Sequence, residues 1–118
     1  MAEDACFRPE HKLAGAEDFA AVFGRGRVVR GPLFDLHYHL NGTGSARLGL
    51  VIPKRNARQA VLRNRCKRLA REAFRLRRPG LPAYDLVLRL ARPVKPDGSA
   101  HAAIRGEIDR LLALLPNG

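Results

Sequence analysis

Between Arg58 and Leu76 the apolar residues Leu62, Cys66, Leu69, Ala73 and Leu76 recur at steps of four and three. Residues at that spacing share one face of an α-helix, so the segment is read as a helix with a single buried stripe. Its opposite side carries Asn64, Lys67, Arg68, Arg71, Arg75 and Arg78. The fold must therefore lay the stripe on another apolar surface and leave a cationic face in solvent. Like charges four residues apart repel by about 0.2–0.5 kcal/mol per pair, and a helix built only for stability would interleave acids with its bases.

The charge balance gives this face its meaning. The chain has a formal charge of +11. From Lys54 to Arg78 there are eleven Lys or Arg residues against the single acid Glu72, whereas the remainder has eleven bases and ten acids. Nearly all the excess thus lies in one segment, which points to one dedicated surface for a polyanion. Nine of those eleven bases are Arg, whose planar fork grips phosphate oxygens two at a time and stacks on bases. RNA or DNA is favoured over a generic acidic protein surface.

The rest of the chain supplies a platform for that helix. Ala16 to Phe23 has the spacing of a short helix, with Phe19, Ala20, Val22 and Phe23 apolar, and Gly24 and Gly26 end it. Leu33 to Leu40 alternates as a strand does, with Phe34, Leu36 and Tyr38 on one side and Asp35, His37 and His39 on the other. Asn41 to Ser45 reads as a hairpin turn, Arg47 to Ile52 as the returning strand, and Arg27 to Arg30 as a short earlier strand. Tyr84 to Leu90 is a largely apolar strand suited to the centre of a sheet, and Ala100 to Leu115 a second amphipathic helix with Ile104, Ile108, Leu111, Leu112 and Leu115 inward. The order predicts an α+β sandwich, with helices on a small mixed sheet, in one domain spanning 1–118 with loose residues 1–13 and a short C-terminal tail.

Other classes find little support. No apolar run of about eighteen residues offers a membrane span, and the N-terminus opens with acids where a signal peptide carries bases, so a cytoplasmic protein is expected. A membrane-surface helix is disfavoured because the stripe has small Ala and Cys and no Trp. Cys6 and Cys66 are too far apart for a local metal motif and are read as free thiols. His37 and His39 share a strand face but give a structural zinc only two of its four ligands, and His11 and His101 add no ligand spacing. No nucleophile motif or Gly-rich phosphate loop is present, so no catalytic residue and no protein-held metal is assigned.

The run Arg63-Asn64-Arg65-Cys66-Lys67-Arg68-Leu69, followed by Arg71-Glu72-Ala73-Phe74-Arg75, resembles the signature helix of the bacterial ribonuclease P protein family. The likeness extends upstream through Arg47 to Arg55 and to the Asp18-Phe19 and Val22-Phe23 pairs, and downstream through Leu81 to Val87. It covers about residues 7–95, departing at Pro53, where a small polar residue is usual, and at Cys66, where an aliphatic one is usual.

This resemblance implies a two-layer arrangement with a four-stranded mixed sheet, about three helices and a left-handed βαβ crossover. It also implies a role as the protein subunit of ribonuclease P, in which a catalytic RNA with Mg2+ removes the 5′ leader of precursor tRNA, with one protein per RNA and no membrane. By position, Arg63, Asn64, Arg65, Lys67, Arg68, Arg71 and Arg75 would meet the catalytic RNA, supported by Lys54, Arg55 and Arg58. Phe19, Phe23 and a strand residue among Phe34, Leu36 and Tyr38 would line a cleft for the single-stranded leader. A structural RNA-binding protein of ribosomal type would share the charge but not the signature run.

Overall fold

The computed structural model describes residues 12, 13, 15–41, 45–94 and 100–116. The elements follow in the order α1 (Ala16–Arg25), β1 (Arg27–Arg30), β2 (Phe34–Leu40), β3 (Arg47–Val51), α2 (Ala60–Arg77), β4 (Tyr84–Leu90) and α3 (Ala100–Ala113), with a 3-10 turn at Arg78–Gly80. Every helix and strand read from the sequence is present within two residues or so of its expected limits, a scatter usual for frayed element ends.

The four strands form one mixed sheet in the order β1-β2-β4-β3. β4 pairs antiparallel with β2, from Phe34 opposite Leu90 to Leu40 opposite Tyr84, and parallel with β3. The expected hairpin between β2 and β3 is therefore corrected: the two run in opposite directions, but β4 lies between them. The reason is burial. Six of the seven β4 residues are buried and only Arg89 is partly exposed, so β4 gains most from the central place, where both faces are covered. Residues 42–44 of the turn lie outside the described residues. The chain leaves β3, runs through α2 and re-enters beside β3 as β4, which is the parallel crossover whose left hand the resemblance implies.

α2 and α3 cover one face of the sheet and form the main core with it. Phe34, Leu36, Leu86 and Leu90 are fully buried there, against Leu62, Cys66, Leu69, Ala73 and Phe74 of α2 and Ile104, Ile108, Leu111 and Leu112 of α3. Burial also pushes the Cys66 thiol up from its ordinary pKa. Cys66 is a free thiol, and Cys6 lies outside the described residues. Leu76, expected on the stripe, is 58% exposed. α3 packs beside α2 and turns the buried arc toward Ala70 and Phe74, leaving Leu76 on the trailing edge.

α1 lies on the other face, where Val22, Val87 and Leu13 form a smaller cluster with Phe19 and Val51 against it. Two glycines allow this approach. A Cβ at Gly49 would fall 2.6 Å from Cζ of Phe19, and one at Gly26 would fall 2.3 Å from the Val22 carbonyl oxygen. The expected loose residues 1–13 are corrected at their end. Lys12 bridges to Leu48, and the Leu13 N–H donates to the Leu48 carbonyl at 2.9 Å, which adds a short piece of chain to the outer edge of β3.

Candidate nucleic-acid interface

The signature helix presents its cations without internal compensation. Asn64, Arg68 and Arg71 are exposed, Arg65, Lys67 and Arg75 are half-buried, and Lys54, Arg55 and Arg58 are exposed in the approach to the helix. Among the described residues none of these bases forms an ion pair. The one acid of the segment, Glu72, accepts a 2.6 Å bond from Nη1 of Arg105 on α3, and that partner holds its carboxyl below the usual range. The lone negative charge is thus turned toward α3. Arg63 differs from its neighbours: its Nη1 donates to the carbonyls of Ala57 and Arg58 at 3.0 and 2.8 Å, fixing the loop that enters α2. Asn56 anchors the same loop by donating from Nδ2 to the Leu90 carbonyl at 2.9 Å.

A groove of about 310 Å³ runs along the outer edge of β3. Lys67 and Arg71 of α2 form one wall, Phe19 of α1 and Lys12 the other, with Leu48, Gly49 and Leu50 along its floor. The two phenylalanines of α1 have separate surroundings. Phe19 is half-buried, wedged on Gly49 beside the small core cluster. Phe23 is 43% exposed, and its ring meets that of His37 edge-on with centroids 4.7 Å apart.

The strand residues expected beside these phenylalanines are corrected. Phe34 and Leu36 have no exposed surface and belong to the core beneath α2 and α3. Tyr38 shares their face and packs edge-on against Tyr84 at 5.3 Å. Strand alternation makes the residues under α1 the other set, Asp35, His37 and His39. The sequence does carry this signal, because polar residues at every second position mark the face that the core does not use.

On this second face β2, β4 and β3 align Asp35, Arg89 and Val51 in one row, and His39, Asp85 and Arg47 in another. Asp85 accepts two bonds from Arg47 at 2.8 and 2.7 Å and one from Nδ2 of Asn41 at 2.8 Å. Arg47 also reaches Asp18 of α1 at 3.7 Å, so this row fixes the start of α1 over the sheet. Asp35 has only a long contact with Arg30, at 3.4 Å. Among the described residues its Oδ1, and Nε2 of His37, are buried without a partner. Burial holds the His37 imidazole below its ordinary pKa; nearby Asp35 opposes this shift and Arg89 and Arg30 reinforce it.

Comparison with known proteins gives the family. A description of ribonuclease P matches residues 7–115. This chain belongs to the ribonuclease P protein family. The ribonuclease P protein component of Azoarcus sp. is 42% identical over 113 residues, covering 96% of this chain and 92% of that protein. That of Thioalkalivibrio sulfidiphilus is 41% identical over 115 residues, covering 98% and 94%. Among solved structures, the RNase P protein of Staphylococcus aureus superposes with a TM-score of 0.78 at 25% identity over 88% of this chain and 94% of that one. The RNase P protein of Thermotoga maritima gives 0.72 at 25% identity over 89% and 97%. The α+β fold with a four-stranded mixed sheet and three helices is thus that of ribonuclease P proteins.

Within this family member, the acids do not suit an ion held by protein alone. Among the described residues no three His, Cys, Asp or Glu side chains converge. Asp85 is occupied by Arg47, and the buried Glu107 accepts the N–H groups of Leu33 and Phe34 at 2.8 and 2.6 Å. A hydrated Mg2+ takes carboxylate and phosphate oxygens, and the one carboxylate of the cationic helix, Glu72, is already bonded to Arg105. Nor is any helix among the described residues long and apolar enough to cross a membrane.

Proposed function

We propose that this chain serves as the RNA-binding protein subunit of ribonuclease P, holding the catalytic RNA on α2 and the single-stranded 5′ leader of precursor tRNA in the groove between α1 and α2. The observation that carries the reading is the groove along β3, where an aromatic wall from α1 faces the unpaired Lys67 and Arg71 of α2. Such a groove suits unpaired nucleic acid: cations follow the backbone, and an exposed ring takes a base face for about 1–3 kcal/mol with little sequence preference.

Each part has a distinct task. Arg65, Arg68 and Arg71 neutralise phosphates, with Lys54, Arg55, Arg58, Lys67 and Arg75 around them. Asn64 offers a hydrogen bond at the border of the cationic face, and Arg63 supports the loop that carries its neighbours. Phe19 is the aromatic wall of the groove itself, and Phe23, one turn further along α1 over His37 and 43% exposed, is a stacking surface beyond the groove. Hydrolysis belongs to the RNA subunit, and Mg2+ to that RNA and the substrate. One protein acts per RNA in the cytoplasm.

Mixing the full chain with the RNA subunit and precursor tRNA, and following leader removal at limiting Mg2+, tests this reading. The expected result is cleavage at a lower Mg2+ concentration than the RNA alone requires. Tight RNA binding with no effect on leader removal would instead make the chain a structural RNA-binding protein.

A further inference from the structure

At the β1-β2 side of the sheet, remote in strand order from the groove along β3, a second cavity of about 360 Å³ opens between Arg25, Arg27, Tyr38, His39, Leu40 and Tyr84. Its aromatic part is fixed in place. Tyr38 and Tyr84 meet edge-on at 5.3 Å and 79°. The Tyr84 hydroxyl donates to the Pro116 carbonyl at 3.1 Å. Leu40 beside them is 55% exposed.

The rim is cationic. From Phe19 to Phe34 the chain has three Arg residues and no acid, a local excess hidden in any count over the whole molecule. Arg25 and Arg27 are exposed, and neither has an ion pair among the described residues. They flank Gly26, whose N–H donates to the Val22 carbonyl at 2.9 Å and whose α-carbon has no space for a side chain against Tyr38. Two guanidinium groups therefore project from a pinned turn beside a preformed aromatic surface. Tyr84 is buried, and the partly exposed Tyr38 is the ring that the cavity offers. Arg groups with no ion pair among the described residues, beside such a ring, can take a nucleobase with its adjoining phosphates.

We propose that this corner is a second pocket for single-stranded RNA, and that its occupant is the part of the 5′ leader lying upstream of the nucleotides at Phe23. The proposal rests on the leader reading above. Arg25 follows Phe23 by two residues at the end of the same helix, so a strand passing Phe23 along α1 meets these guanidinium groups next. The cationic face assigned to the catalytic RNA lies at the other edge, beside β3.

The chain itself provides the probe. Tyr38 and Tyr84 are its only tyrosines and it has no Trp, so intrinsic emission reports this pocket alone. The full chain is titrated with mature tRNA and with precursors whose leaders are either a few nucleotides long or several times longer. The long leader is expected to quench tyrosine emission and to bind more tightly than the short one, by about 5- to 150-fold for one stacked base. In the double variant Arg25→Gln/Arg27→Gln the long leader should fall to the short-leader affinity at an unchanged thermal midpoint. Its salt slope should become shallower by about 1.4, the share of two single-strand phosphates. Equal affinity for the two leaders in the unaltered chain, or a gain that survives the double variant, would overturn the proposal. Weaker binding of the RNA subunit without any leader would also overturn it, by assigning the pocket to the catalytic RNA. If the short-leader precursor were bound no better than mature tRNA, the leader reading itself would fail.

Discussion

On the face beneath α2 and α3, β2 and β4 contribute Phe34, Leu36, Leu86, Leu88 and Leu90, all buried in one continuous core. On the face beneath α1 the same two strands contribute the buried Val87 together with Asp35, His37, His39, Asp85 and Arg89, and α1 itself buries only Val22 completely. One face is dry and filled by two helices. The other is mostly polar, partly covered, and bordered by an exposed phenylalanine and by a cationic helix whose Lys67, Arg68 and Arg71 have no ion pair among the described residues. The difference teaches where stability and recognition reside: substitutions on the first face should act through folding, and those at the open margin of the second through RNA.

The largest effect is expected in the dry core. Leu88→Ala removes a buried side chain between α2, α3 and the sheet and should cost about 2–5 kcal/mol, a large share of the roughly 5–15 kcal/mol that holds a domain together. Chemical denaturation checks this, and a loss below 1 kcal/mol would break the contrast between the faces. Next is the cationic helix. Arg68 is exposed, so Arg68→Ala should leave the thermal midpoint almost unchanged while making the salt dependence of RNA binding shallower by about one counterion. An unchanged slope would remove Arg68 from direct phosphate contact.

The smallest effect concerns pH. Burial holds His37 below its ordinary value of 6.5, so the folded chain binds fewer protons there than the unfolded one just below that pH. Its contribution to stability is complete above about 6.5 and is lost as pH falls toward the depressed folded value. Thermal midpoints measured downward from pH 7 should therefore decline less steeply in His37→Leu than in the unaltered chain. Parallel curves would mean that the imidazole is no drier than its unfolded reference.

Much of the dry face was legible in the sequence, because its periodicities are long and apolar. Five inward residues of the last helix and the central place of β4 follow from pattern alone. Pairing was less legible: alternation in β2 and β3 permits a hairpin, and only the competing burial of β4 separates them. Leu76 lies on the stripe that a helix packed on a sheet alone would bury, and α3 turns the buried arc away from it. The polar face was harder. Phe34, Leu36 and Tyr38 attract attention as apolar groups, yet the partner of Phe23 is His37, at a position that alternation assigns to the opposite side. Arg63 and Glu107 give no local signal of their roles. Their hydrogen bonds go to backbone atoms whose positions depend on the tertiary fold.

If the open margin of the polar face holds the unpaired leader, Phe23 is the residue whose loss should show it. The measurement is a pair of dissociation constants for Phe23→Leu, one with precursor tRNA and one with mature tRNA, taken beside the thermal midpoint. Because the ring is 43% exposed, the midpoint should move little. Precursor binding should weaken by about 5- to 150-fold, the value of one lost stack, and mature tRNA binding should be spared. A lowered midpoint with equal losses for both RNAs would contradict the account, making Phe23 a core residue and leaving the basic helix as the only RNA surface.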